Sequence, residues 1–159
     1  MNYIAKCVDK QKFIMYADIP EFQTSAGGTL TPDILVTSER PDIVIIDGKK
    51  NTINIFELTV PFEHNVDIRH SDKTNKYAYM KEEITKYKPN IEPFEIGARG
   101  YITKENRSRL KTIYSYCTKD ITLKHFEQNV AKLAMDGSRY IYLCRNQTEW
   151  VSPPLLSVD

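Results

Sequence analysis

Two acids set inside apolar runs are the residues of this chain best placed to do chemistry. Arg40-Pro41-Asp42 leads into Ile43-Val44-Ile45-Ile46, and Glu57 lies within Ile53-Asn54-Ile55-Phe56-Glu57-Leu58-Thr59-Val60. A carboxylate buried on a sheet is costly unless it is paired or bound to a metal. Asp47-Gly48, between the runs, is a hairpin signal that brings the two strands side by side. Period two puts Ile53, Ile55, Glu57 and Thr59 on one face, which the two isoleucines mark as buried. Hard carboxylate oxygens suit Mg2+, which keeps several waters, so Asp42 and Glu57 with one phosphate oxygen form a sufficient site. Such a cation activates water and neutralises charge on a scissile phosphate, and a lysine stabilises the pentavalent state. The nearest lysines are Lys73 and Lys76. Lys73 and Tyr77 are four apart and share a helix face, whereas Lys76 and Tyr77 are adjacent and diverge. The plainer readings are a turn aspartate after a proline, an exposed glutamate and lysines on a solvated helix.

These side chains need elements to hold them. Residues 13–17 form a short strand or a helix end. Residues 20–33 are loop-like, with Pro20, Gly27, Gly28 and Pro32. Ile34 to Val36 is expected as a short strand, Asp42 to Asp47 as the next, and Thr52 to Val60 as the clearest, stopped by Pro61. A helix is expected over 67–88, closed by Pro89 and Pro93. Phe94 to Ile102 then reads as a strand, with Gly97 and Gly100 allowing a bulge or close approach. Thr103 caps a helix over 104–116, and Asp120 caps another over 121–135. Gly137 ends that helix, Ser138 starts a short one to about Arg145, and the tail from Trp150 is irregular. The expected fold class is α/β: a mixed sheet flanked by helices, with a helical carboxy-terminal part, in a single domain over 1–159.

The chain has 159 residues, 41% hydrophobic and 27% charged, enough for one real core. Lys+Arg 22 against Asp+Glu 21 gives +1, so any basic face is local. Cys7, Cys117 and Cys144 form no Cys/His cluster, which argues against zinc and fits a reducing compartment. No signal-peptide stretch or membrane-length apolar run is present, so the expected location is cytoplasm or nucleus, without a membrane partner. Oligomeric state is not legible.

Arg-Pro-Asp-Ile-Val, Glu-Leu-Thr-Val-Pro-Phe-Glu and Lys-x-x-x-Tyr together resemble the restriction-like endonuclease domain of non-long-terminal-repeat retrotransposons, within the PD-(D/E)xK nuclease superfamily. Asp42, Glu57, Lys73 and Tyr77 fall in order on that family's motif, which residues 40–77 cover. The strand acid is often Asp in that family, and the common Glu-x-Lys position is here Thr59. The resemblance implies a restriction-endonuclease-like sheet and DNA cleavage dependent on Mg2+ or Mn2+ held by Asp42 and Glu57, with Lys73 assisting and Tyr77 positioning. The zinc knuckle and reverse transcriptase of such proteins are not in this sequence. Thr59 keeps open the alternative of a non-catalytic nucleic-acid-binding module with the nuclease fold.

Other residues are weaker candidates. Glu63 is an extra acid or a loop cap, Asp33 a turn residue, and Glu21 a further helix acid. His64, His70 and His125 are expected at the surface, the first two as phosphate contacts at best. DNA is expected to meet Arg69, Lys73, Lys76, Lys81, Lys86 and Lys88, with Tyr77, Tyr79 and Tyr87 stacking on unpaired bases. Lys104 to Lys111, with Arg107 and Arg109, is a second basic stretch.

Overall fold

The computed structural model describes residues 1–118 and 120–145. A four-stranded mixed sheet runs in the order β1 (Ile14–Ala17), β2 (Ile43–Asp47), β3 (Thr52–Thr59), β4 (Lys88–Glu95). The first three strands are antiparallel neighbours, and β4 joins β3 in parallel. A parallel pair needs a crossover. Here it is made by α2 (Val66–Tyr77) and the single-turn α3 (Met80–Glu83). The opposite face is covered by α1 (Asn2–Cys7), α4 (Lys104–Tyr114) and α5 (Leu123–Cys144).

Alternation on the inner strands sorts the core into two layers. Ile43, Ile45, Phe56 and Phe94 pack with Leu110, Ile113 and Phe126 of α4 and α5. Val44, Ile46, Ile53 and Ile55 pack with Tyr77, Met80 and Ile84 on the α2 side. All five residues of β2 are buried because strands cover both edges and side chains cover both faces. The β2–β3 hairpin follows the Asp47-Gly48 signal. Asp47 Oδ1 accepts from the Lys49 and Lys50 amides at 3.1 and 3.2 Å, and Asn51 takes φ 52°.

Several expectations from sequence are corrected. Ile34 to Val36 is not a strand: Ile34 and Leu35 donate back to Thr31 O at 2.9 and 3.2 Å. They bury their side chains with Leu30 as part of the long β1–β2 loop. The helix expected over 67–88 is broken after Tyr77 and again after Glu83. The last strand spans Lys88–Glu95, not 94–102, and so contains Pro89 and Pro93. β4 is an edge strand, and prolines are tolerated where the missing N–H faces away from the partner. Residues 97–103 form a loop in which Gly100, at φ 82°, comes close enough to Ala131 O that a Cβ would lie 3.1 Å away. Gly137 does not end a helix, since α5 is continuous over 22 residues. Thr122, not Asp120, caps it by accepting from His125 N at 3.3 Å. Thr103 caps α4 as expected, accepting from Asn106 N at 3.1 Å. The tail from Trp150 lies outside the described residues.

The long loop between β1 and β2 delivers Asp42. It crosses the α2–α3 side and is pinned by Lys86 on Asp33, by Thr37 Oγ1 on Tyr79 Oη at 2.8 Å, and by Lys76 on Glu39 at 2.6 Å.

Candidate active site

The β2–β3 register sets Ile43 opposite Phe56, so one residue further places Asp42 opposite Glu57. Directly opposed residues of an antiparallel pair point to the same face. That face is the α2 side, shared with Ile53 and Ile55. The two acids also exchange hydrogen bonds with the neighbouring backbone. Asp42 N donates to Glu57 Oε2 at 3.1 Å, and Leu58 N donates to Asp42 Oδ2 at 2.8 Å. Asp42 O accepts from Asp18 N at 3.0 Å, which anchors the residue on the β1 side as well.

Burial and the adjacent Glu57 charge push the Asp42 carboxyl up to about 6, against the pull of the Leu58 amide and the Lys73 ammonium. Glu57 is 5% exposed. Its Oε1 accepts from Lys73 Nζ, so an ammonium from α2 reaches the pair of acids. Tyr77, one helical turn along, is 1% exposed and lies close enough to Glu57 to feel its charge. Its hydroxyl is pushed up to about 12 by burial first and the Glu57 charge second. Tyr77 therefore cannot stack on a base, which corrects that part of the sequence reading, while its contact with Glu57 fits a positioning role. Lys76 points elsewhere: Glu39 holds it, with its ammonium 4.9 Å from the Tyr77 ring, and that hydrogen bond raises its pKa. Thr59, on the same face two residues beyond Glu57, has a buried Oγ1 without a hydrogen-bond partner among the described residues.

The donor set suits a hard divalent cation. Asp42 carries a carboxyl already crowded by a second carboxylate, and a cation relieves that repulsion. Among the described residues no group of three or more His, Cys, Asp or Glu side chains converges. Any cation here would be held by Asp42 and Glu57, with water or substrate oxygens completing the shell.

A neighbouring cluster was not read from the sequence as a unit. Glu95, at the end of β4 and opposite Thr59, is 1% exposed. His70 of α2 lies 3.1 Å from Glu95 Oε1 through Nδ1, and Arg109 Nη2 lies 3.3 Å from His70 Nε2. Arginine only donates, so Nε2 accepts and Nδ1–H is the donor to Glu95. Arg109 also donates to Asn106 Oδ1 at 2.8 Å, and the same oxygen accepts from Glu95 N at 3.2 Å. His70 is thus a half-buried member of a hydrogen-bonded network anchored on the buried Glu95, not a free surface residue. Glu95 lies between Phe94 and Ile96, the same signal of an acid in an apolar run that marked Glu57.

The other candidates do not join Asp42 and Glu57. Glu21 is exposed on a one-turn 3-10 helix, Asp33 sits in a turn bound to Lys86, and His125 is exposed. Glu63 accepts from Arg99 N at 3.0 Å and Arg99 Nε at 3.1 Å. A Cβ on Gly97 would lie 2.7 Å from Glu63 Oε1. Gly97→Ala is therefore expected to swing the Glu63 carboxylate off Arg99 with only a small loss of stability, read by urea denaturation. Of the residues expected to stack on bases, Tyr79 donates or accepts through Thr37 and Tyr87 is half-buried against the α2-side core.

No family model matches the chain, and no curated protein matches it significantly. No helix among the described residues is long and apolar enough to cross a membrane.

Proposed function

We propose that this chain is a metal-dependent DNA endonuclease with a restriction-endonuclease-like fold, similar to the target-nicking domain of a retroelement. The observation that carries the reading is the convergence of Asp42, Glu57, Lys73 and Tyr77 on one face of the sheet. The mixed sheet with its α2 crossover supports it, because the crossover brings the Lys73 ammonium to Glu57 while Thr59 carries no charge.

A Mg2+ or Mn2+ ion bound there would supply Lewis acidity at the phosphate and an activated water. Asp42 and Glu57 are the residues that would hold the ion. The Lys73 ammonium, at Glu57 Oε1, is placed to leave that oxygen for the anionic phosphate as charge develops. Tyr77, buried close to Glu57, would help keep that carboxylate in place.

The test is nicking of supercoiled plasmid. The wild-type chain is expected to convert it to open circles with Mg2+ or Mn2+ and not with EDTA. Asp42→Ala is expected to reduce the rate by about a thousandfold or more, the scale of losing a principal electrostatic group. Nicking that survives Asp42→Ala overturns the assignment. A wild-type chain that binds DNA but never nicks it supports the non-catalytic binding module, the reading favoured by Thr59 at the customary lysine position.

A further inference from the structure

The loops that leave the carboxyl ends of β3 and β4 are tied into one unit. Ala98 N donates to Pro61 O at 2.8 Å, and Gly97 N donates to Tyr101 O at 2.8 Å. Glu63 grips Arg99 through both the backbone amide and Nε. On this unit Phe62 is 65% exposed and Tyr101 58% exposed. Single exposed apolar residues are ordinary. Phe62 differs in its neighbours. Its ring lies nearly parallel to the His64 imidazole, with 6.3 Å between centroids and 11° between planes. Arg99, tethered by Nε, has no partner at either Nη among the described residues and is 81% exposed.

The geometry points to a subsite for one unpaired nucleotide: Phe62 with His64 stacks the base, and Arg99 takes the adjoining phosphate. A base within a duplex has both faces covered by its neighbours, so only an unpaired base offers a face to a protein ring. The Glu63 tether leaves the outer edge of the Arg99 fork for a phosphate. Phe62 follows Glu57 by five residues, a reach of roughly 16 Å along an extended chain, so the stacked nucleotide would belong to the same bound strand without adjoining the scissile phosphate. The inference rests on the nuclease reading and deepens it, for it assigns as substrate DNA with a single-stranded segment, in place of plain duplex.

Fluorescence anisotropy in EDTA, where no cleavage intervenes, tests it with labelled oligothymidine and a blunt duplex of equal length. Phe62→Ala is expected to weaken oligothymidine binding about tenfold and duplex binding by less than about twofold, while Phe62→Trp retains the wild-type affinity. Arg99→Gln is expected to weaken both and to flatten the logarithmic salt dependence on oligothymidine by about 0.7. Phe62 is exposed, so its variants are expected to keep the wild-type circular dichroism. The subsite is overturned if the wild-type chain does not bind oligothymidine, or if Phe62→Ala affects both probes equally or neither. Plasmid nicking is read separately: oligothymidine binding through Phe62 without nicking sinks only the nuclease reading, and nicking with no Phe62 effect sinks only the subsite.

Discussion

Asp42→Asn is expected to abolish metal-dependent nicking while raising the melting temperature of the metal-free protein. Burial and the neighbouring Glu57 raise the Asp42 carboxyl to about 6. The folded state therefore holds this proton more tightly than the unfolded chain, whose aspartate titrates near about 3.9. The proton-linked stability is fully present below the unfolded value, and it is lost as pH rises through about 6. At neutral pH the ionised side chain destabilises the metal-free fold by roughly 2–3 kcal/mol. Asparagine removes the charge and keeps an oxygen for the Leu58 amide. The expected gain is about 5 °C or more at pH 7.5, shrinking towards zero near pH 4. Thermal denaturation across pH in EDTA checks it. An asparagine variant that melts below the wild type at pH 7.5 contradicts the account of Asp42 as a strained acid. A group kept ionised at a cost to stability, and relieved by a cation, is the usual mark of a functional site.

Lys73→Ala is expected to act in the opposite sense on stability and in the same sense on activity. Glu57 is 5% exposed, and Lys73 is the cation at its Oε1. Removing one partner leaves a buried carboxylate uncompensated beside Asp42, a loss of about 3 kcal/mol. Nicking is expected to fall by about a hundredfold to a thousandfold, the range for a lost transition-state donor. The double variant Lys73→Ala with Glu57→Gln separates the two effects, because it removes the orphaned charge. Its stability is expected to return most of the way to the wild-type value, while its nicking is expected to stay at or below that of Lys73→Ala. Urea denaturation and plasmid nicking are the measurements. A double variant no more stable than Lys73→Ala alone contradicts the pairing.

The pair of acids was legible before any coordinates because alternation is local. In Ile53 to Thr59 each side chain's face follows from its number, and the Asp47-Gly48 turn brings β2 alongside β3. Lys73 and Tyr77 were legible for a similar reason, since four residues make about one helical turn. Pro89 and Pro93 misled, because a proline's meaning depends on whether a strand has one neighbour or two. Gly137 misled because a glycine inside a helix costs only about 1 kcal/mol, which packing outside its own turn can offset.

The burial of Tyr77 and the partners of His70 needed tertiary structure. Both residues sit on an α2 face whose sequence reads as charged and solvated, and only the crossover onto β4 and β3 buries one and links the other to Glu95 and Arg109. The exposure of Phe62 likewise depends on how the β3 and β4 loops are tied together. By itself the amino-acid order determined the two strands, the shared face of Asp42 and Glu57, and the lysine on the following helix, because each depends on a repeat of two or four residues. Which strand forms the edge, which helix face is covered and which loops meet were decided by contacts between residues far apart in the chain, and no local repeat encodes those.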